Sequence, residues 1–331
     1  MKKIVPGILT ILIFPCATSA QADYKRVVSD EFVRGYISTQ GTFASPEHDT
    51  HTGITGGVFT TPSALSGGDI NQAFANTTAH YHWGWHTTKL GDVRPLLRIS
   101  AAGAHYAGRA RDENGLLNNS VKGATVSLGA GYGIHWRPWP NTTVSIRMNY
   151  AYLYTENDYT YANGSMKAGD GSTRNWFAHT ISSTTELGVR QTLPLASDSW
   201  DGENAGKNIP CLILSTNITS LSMFGAYGKT RHQQRYASPF IITNGCELGL
   251  PLIINLGPAL RTTLFVERTD ILGDGRRSLT RDKCFYRAGL RLGTSHTNNA
   301  PQNWNDDIQL SASAIWGKGL NGCQIGIGLQ F

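Results

Sequence analysis

The stretch NGCQIGIGLQF, residues 321–331, places Cys323, Ile325, Ile327, Leu329 and Phe331 at every second position, with Gln324, Gly326, Gly328 and Gln330 between them. Successive side chains of a β-strand point to opposite faces, so this segment reads as a strand with one apolar face and one small or polar face. Immediately upstream, Ile308, Leu310, Ala312, Ala314 and Trp316 alternate with Gln309, Ser311 and Ser313, and the short GKGLNG joins the two segments as a hairpin.

The same period of two recurs toward the N-terminus. In CFYRAGLRLG the apolar face carries Cys284, Tyr286, Ala288, Leu290 and Leu292, opposite Arg287 and Arg291. In ALRTTLFVER it carries Leu260, Leu264 and Val266, opposite Arg261 and Glu267. TVSIRMNYAYLY sets Val144, Ile146, Met148, Tyr150 and Tyr152 against Ser145, Arg147 and Asn149. KGATVSLGAGYGIHW sets Ala124, Val126, Leu128, Tyr132, Ile134 and Trp136 against Lys122, Thr125, Ser127, three glycines and His135. AHYHWGWH sets Tyr81, Trp83 and Trp85 against His80, His82, Gly84 and His86. About twelve such segments are expected, at 54–64, 75–87, 94–107, 122–136, 142–156, 177–192, 208–224, 239–254, 258–268, 280–294, 306–317 and 321–331, each near the ten residues that a tilted membrane strand needs. Pro251 fits poorly inside the eighth, because it removes a ladder donor.

Composition agrees with many short strands: 331 residues include 37 glycines, 13 tyrosines and 8 tryptophans, and only 16% are charged. A mean hydropathy of −0.25 is compatible with a membrane barrel, whose polar and apolar faces average out. The start, MKKIVPGILTILIFPCATSAQADYK, has two lysines, an apolar stretch from Ile4 to Phe14 and small residues ending at Ala22, which reads as a secretory signal peptide over 1–22. No stretch reaches the length of a helical membrane span. Without Lys2 and Lys3, 27 basic residues face 23 acidic ones, a balance too mild to imply nucleic acid. Four cysteines then remain, at spacings that match no metal motif. Cys246, Cys284 and Cys323 fall on the apolar face of alternate strands, roughly 10 Å apart and beyond disulfide reach, so free thiols are expected; a rim disulfide between Cys284 and Cys323 is the alternative.

The connections point the same way. Short turns (KLGDVRP, RPWPNT, NLGP) alternate with longer polar loops at 107–121, 157–173, 225–238 and 269–280, as in barrels with short periplasmic turns and long external loops. The connections 193–207 and 295–305 are long where short ones are expected. Tyr81, Trp83, Trp136, Tyr152, Tyr154 and Trp316 gather near segment ends, where interfacial girdles form. A soluble sandwich explains the alternation but neither the girdles nor the terminal Phe331. The expected fold is therefore all-β: a closed antiparallel transmembrane β-barrel of about twelve strands over 54–331.

By parity, Arg98, Glu186, Arg190, Glu247, Arg147, Arg261, Glu267, Arg287 and Arg291 face the lumen, where charges of both signs must pair. They are read as a structural network, or as the lining of an anion-preferring pore. Residues 23–53 include Val28, Phe32, Val33, Tyr36 and Ile37 on one helical face, which suggests a short lumenal helix. His80, His82 and His86 share a face, but spacings of two and four along a strand place the ends about 13 Å apart, too far for one ion; only His80 with His82, or a pair with His105 or His135, is compatible. His179 with Ser182 or Ser183 lacks any lipase elbow. No metal, cofactor or enzymatic activity is expected.

The final hairpin, SASAIWGKGLNGCQIGIGLQF, resembles the end of autotransporter translocator barrels of Gram-negative bacteria, and twelve strands in this length fit that family. The resemblance implies an outer-membrane location, contact with outer-membrane lipid and lipopolysaccharide, and recognition of Ile327, Leu329 and Phe331 by the barrel-assembly machinery. In that family a passenger precedes the barrel and a helix occupies its lumen. Here residues 23–53 alone are available, so the expectation is a solitary barrel, structural or surface-interacting, with a plugged lumen. A small-solute pore and a lipid-acting enzyme are the alternatives.

Overall fold

The computed structural model describes residues 52–62, 69–110, 119–160, 173–195, 210–228, 238–252, 259–273, 284–295 and 308–329. The segments assigned to a signal peptide and a lumenal helix, and the terminal Phe331, lie outside them, except that Thr52 and Gly53, expected to end the N-terminal segment, open the first strand. Thirteen strands form a single sheet: β1 (Thr52–Pro62), β2 (Asp69–His82), β3 (His86–Thr88), β4 (Gly91–Ala110), β5 (Asn119–Trp139), β6 (Thr142–Thr160), β7 (Thr173–Pro194), β8 (Cys211–Gly228), β9 (Phe240–Leu252), β10 (Ala259–Leu272), β11 (Cys284–Ser295), β12 (Ile308–Gly317) and β13 (Leu320–Leu329). All pairings are antiparallel, between chain neighbours apart from β2 with β4, and β1 pairs β13 from Thr52↔Leu329 to Thr60↔Asn321, closing the sheet into a barrel without edges. Both β2 and β3 pair with β4, so they form one interrupted stave and the barrel has twelve.

The interruption at Trp83–Trp85 has a local cause. On the β4 side the residue facing it is Pro95, which has no N–H to give. Trp83 N donates to Pro95 O at 3.1 Å, and the carbonyl of Trp83, which Pro95 cannot serve, accepts from Arg94 Nε at 3.0 Å. Pro251 is tolerated for a related reason: it lies past Cys211↔Gly249, the last β8–β9 pair, so one flank of it carries no ladder. At the β12–β13 hairpin, the second central residue of the turn, Gly319, has φ 82°, a left-handed conformation that glycine adopts without steric cost.

The two faces differ as the alternation requires. Leu128 and Ile325 point outward with 62% and 67% of their surface exposed, together with Ile54, Ile99, Ile146 and Leu310 on other staves. A belt of this kind around the whole wall is unfavourable in water and fits hydrocarbon. Two parity assignments are corrected. The break at 83–85 shifts the pleat, so His86, the register partner of Val93, falls on the outward face and does not share one with His80 and His82. Lys122 shares the outward, exposed face of β5 with Val126 and Leu128, because it is an even number of residues from them.

The strands are also longer than the alternation suggests. β4 to β7 run 20, 21, 19 and 22 residues, about twice what the bilayer requires. At their loop-side ends the outward face turns polar, with His105, Arg109, Lys122 and Glu156 exposed, so the ladder continues after the apolar signal stops.

Candidate functional site: the lumen

Inside, the barrel has three zones. One end carries the connections after β1, β4, β6, β8, β10 and β12 (the loop end); the other carries the start of β1 and the finish of β13 (the terminal end). At the loop end, thirteen buried apolar residues form one cluster: Phe59, Phe74, Ala104, Ala151, Leu153, Ala178, Leu221, Met223, Ile241, Ile271, Phe285, Ile315 and Leu320. Eleven of the twelve staves contribute. Several of these rings lie on cross-strand glycines. Phe59 faces Gly322, Phe74 faces Gly57 and Phe285 faces Gly317, and in each case a methyl group on the glycine would meet the aromatic residue.

Toward the terminal end lies a belt of charge. Arg98 Nη1 donates to Glu186 Oε1 at 3.0 Å, and Arg147 Nε approaches Glu186 Oε2 at 3.4 Å. Glu247 Oε2 lies 3.1 Å from Arg291 Nη1 and 3.7 Å from Arg190 Nη2. Arg287 holds Glu267 through Nε at 3.0 Å and through a close Nη2 contact, while its Nη1 donates to Gln324 Oε1 at 3.0 Å. Each carboxylate therefore answers at least one guanidinium, and two of them bridge a pair. On every stave that carries both zones, the apolar residue lies nearer the loop end.

Backbone space makes the belt feasible. Arg98 on β4 and Glu186 on β7 are separated by β5 and β6, and β5 presents Gly129, Gly131 and Gly133 to the lumen. A methyl on Gly133 would sit 2.6 Å from Arg147 Cγ, and one on Gly131 would collide with the Met148 carbonyl. The long side chains thus cross a bare floor. On β10 and β11, Phe265 packs against Gly289, with Arg287 and Arg291 at 5.7 and 5.3 Å from its ring centroid. Arg261 lies in β10 opposite Gly293, with its side chain outside the described residues.

The third zone is the terminal mouth. His80 and His82 have ring centroids 5.8 Å apart, and His82 and His135 5.5 Å. His86 is exposed in β3, and His105 lies on the outer face. Among the described residues, no group of three or more His, Cys, Asp or Glu is arranged to hold a metal ion. The mouth also holds a feature that pattern reading missed: the Arg137 ζ-carbon lies 3.9 Å over the Trp85 ring and that of Arg94 lies 5.8 Å from it. Alternation gives no sign of it, because period two does not show where a strand breaks.

The His179 and Ser182 pairing considered from sequence is taken apart by the pleat. Ser182 faces inward and donates to Ala151 O at 3.3 Å, whereas His179 faces outward among Tyr152, Tyr154 and Phe177. Cys211, Cys246, Cys284 and Cys323 are free thiols, so the rim disulfide between Cys284 and Cys323 does not form.

No protein-family model matches the chain, and no curated protein is significantly similar to it in sequence. Solved structures do match. The transport unit of the autotransporter AIDA-I from Escherichia coli aligns with a TM-score of 0.59 at 9% identity, over 93% of this chain and 98% of that one. The beta domain of the Bordetella autotransporter Brka aligns with a TM-score of 0.50 at 10% identity, over 85% of this chain and 100% of that one. At such identities the likeness is one of fold, and it agrees with the twelve closed staves: the chain has the autotransporter-type β-barrel fold.

Proposed function

We propose that the protein is a bacterial outer-membrane barrel whose lumen is closed, and that it serves as a structural or surface-interacting scaffold rather than as a conduit. The observation that supports this reading is the apolar cluster at the loop end, fed by eleven staves, above a belt in which every described carboxylate is engaged by arginine. Ions and polar solutes cross an apolar constriction poorly, because the constriction loses its water. A conducting pore instead keeps a continuous wet path. The signal sequence, the apolar outer belt and the fold shared with autotransporter barrels support placement in the outer membrane, in contact with its lipid and lipopolysaccharide. With β13 finishing on the periplasmic side, the loop end faces outward and carries the interaction surface. Planar-bilayer recording tests the reading. The full mature chain should give no steady single-channel conductance, and a stable open channel would replace it with the pore reading.

A further inference from the structure

We propose that the outer wall of the barrel carries, at the loop end of β4, a docking site for the phosphorylated headgroup of an outer-leaflet glycolipid of the lipid A class. It rests on the outward orientation proposed for the loop end. Its centre is Ala107, on the outer face of β4. The register partners of Ala107 are Asn71 on β2 and Lys122 on β5, and its neighbours on the same face of β4 are His105 and Arg109. Register partners have Cβ atoms about 5 Å apart and residues two apart on a strand about 7 Å, so the four donor-bearing side chains ring a single methyl group. All of them are exposed.

The donors of this ring are available. Among the described residues, no hydrogen bond or ion pair engages His105, Arg109 or Lys122. Thr60 Oγ1 donates to Asn71 Oδ1 at 2.9 Å, which occupies the amide oxygen and leaves the amide nitrogen of Asn71 as a donor. Arg268, on the outer face further round the wall, is by contrast held by Asp270 at 2.9 Å. Two carboxylates flank the ring on β6. Glu156 accepts from the Tyr154 hydroxyl, and Asp158 is the register partner of Lys122 without forming an ion pair with it. They bound the site on the β6 side, so an anion is received on the β2 and β4 side of Lys122.

The height and width of the ring select the ligand. Trp136 and Val126 lie ten residues apart on the outer face of β5, and Val126 is the register partner of Tyr154. At about 3.3 Å per residue and a tilt of about 40°, this interval between two aromatic levels spans about 25 Å, the height of an apolar band. Lys122 lies four residues further, about 10 Å into the polar zone, and the long stems of Lys122 and Arg109 can reach back toward the interface. His105 and Arg109 are about 13 Å apart along β4, wider than one phosphate needs. A disaccharide that carries two phosphates and several hydroxyls offers acceptors over such a spread, and a single phosphodiester does not. Guanidinium and ammonium groups suit its phosphates, and the Asn71 amide suits its hydroxyls.

The test is native mass spectrometry of the full mature protein in detergent, with bis-phosphorylated lipid A as the probe and with lipid A stripped of phosphate and phosphatidylglycerol as comparisons. Saturable binding of the bis-phosphorylated form is expected, weakened at least fivefold by Arg109→Gln combined with Lys122→Gln and unchanged by Arg268→Gln, whose side chain is already paired. Lipid A without phosphate should bind the wild type no better than the bis-phosphorylated form binds the double variant. Heat-modifiable migration on gels verifies that each variant is folded. If the double variant fails to fold, Lys122→Gln alone should weaken binding at least twofold. A folded variant that binds lipid A as the wild type does, or a wild type that takes phosphatidylglycerol as tightly as lipid A, would overturn the proposal. Orientation is read separately, by antibody labelling of intact cells with an epitope placed after Lys318 in the β12–β13 turn. Labelled cells together with binding that the variants leave unaltered defeat the docking site alone. An epitope reached only after the cells are opened defeats the outward placement of the loop end, and the site with it.

Discussion

Glu186 shows what a single residue contributes to this lumen. Its two oxygens answer Arg98 and Arg147, and all three side chains are largely removed from bulk water. Desolvation offsets much of the attraction in such a group, so its net stabilisation is small; removing the carboxylate, however, leaves two buried cations without it. Glu186→Gln should therefore destabilise the barrel by about 3–5 kcal/mol, read from urea titration of the folded form in micelles, whereas a combined Glu267→Leu and Arg287→Met change should cost less than either substitution alone. At this scale the alternation placed Arg98, Arg147, Glu186, Arg190, Glu247, Glu267, Arg287 and Arg291 on the inner face. Their partners were not legible. Arg98 and Glu186 stand 88 residues apart and meet across two intervening strands, which depends on barrel closure and on the glycine floor of β5. Period two also says nothing of where a strand breaks, so the stacking of Arg137 on Trp85 had no signal of its own.

Strands were the most legible level, because the apolar face must repeat every second residue wherever the wall meets hydrocarbon. Their ends were not, since β4 to β7 continue into water with polar outward residues such as Lys122 and Glu156 while keeping the same ladder. The two faces of β5 make the difference testable. Leu128→Arg puts a charge into the lipid-facing belt and should cost about 2–4 kcal/mol if it lies near the midplane, whereas Lys122→Leu at the polar end should change stability little; folding equilibria in lipid vesicles distinguish them. On the inner face, Gly131→Ala sets a methyl against the Met148 carbonyl in an already packed wall, and a loss of about 1–3 kcal/mol is expected from the same measurement. The closing strand carries a different requirement. Ile327 faces outward and Leu329 pairs with Thr52 at the seam, so this strand completes the ring. Deleting Phe331 should lower the yield of heat-modifiable barrel in cells while leaving refolding in detergent nearly unchanged, if the residue is read by the assembly machinery rather than by the fold.

For the whole molecule, closure of the sheet and closure of the lumen are separate physical facts. The sheet closes because β1 and β13 satisfy each other's backbone groups, as hydrocarbon demands. The loop-end lumen is narrowed by side chains that could be smaller without breaking a single ladder bond. Phe59 and Phe285 come from opposite directions around the seam, and both belong to the apolar cluster. Each covers a glycine, Gly322 and Gly317, so truncating them removes volume from the constriction while the strands keep their register. Phe59→Ala with Phe285→Ala should cost about 3–5 kcal/mol per site at most, because the cavity opens onto a lumen that water can enter. The folded double variant should show ion currents in planar bilayers where the parent is silent. Phe59→Leu with Phe285→Leu keeps most of the apolar volume and should remain closed. If the alanine variant folds, as heat-modifiable migration would show, and stays silent, then the apolar cluster is not the barrier, and the block lies in the arginine–glutamate belt or in segments beyond it.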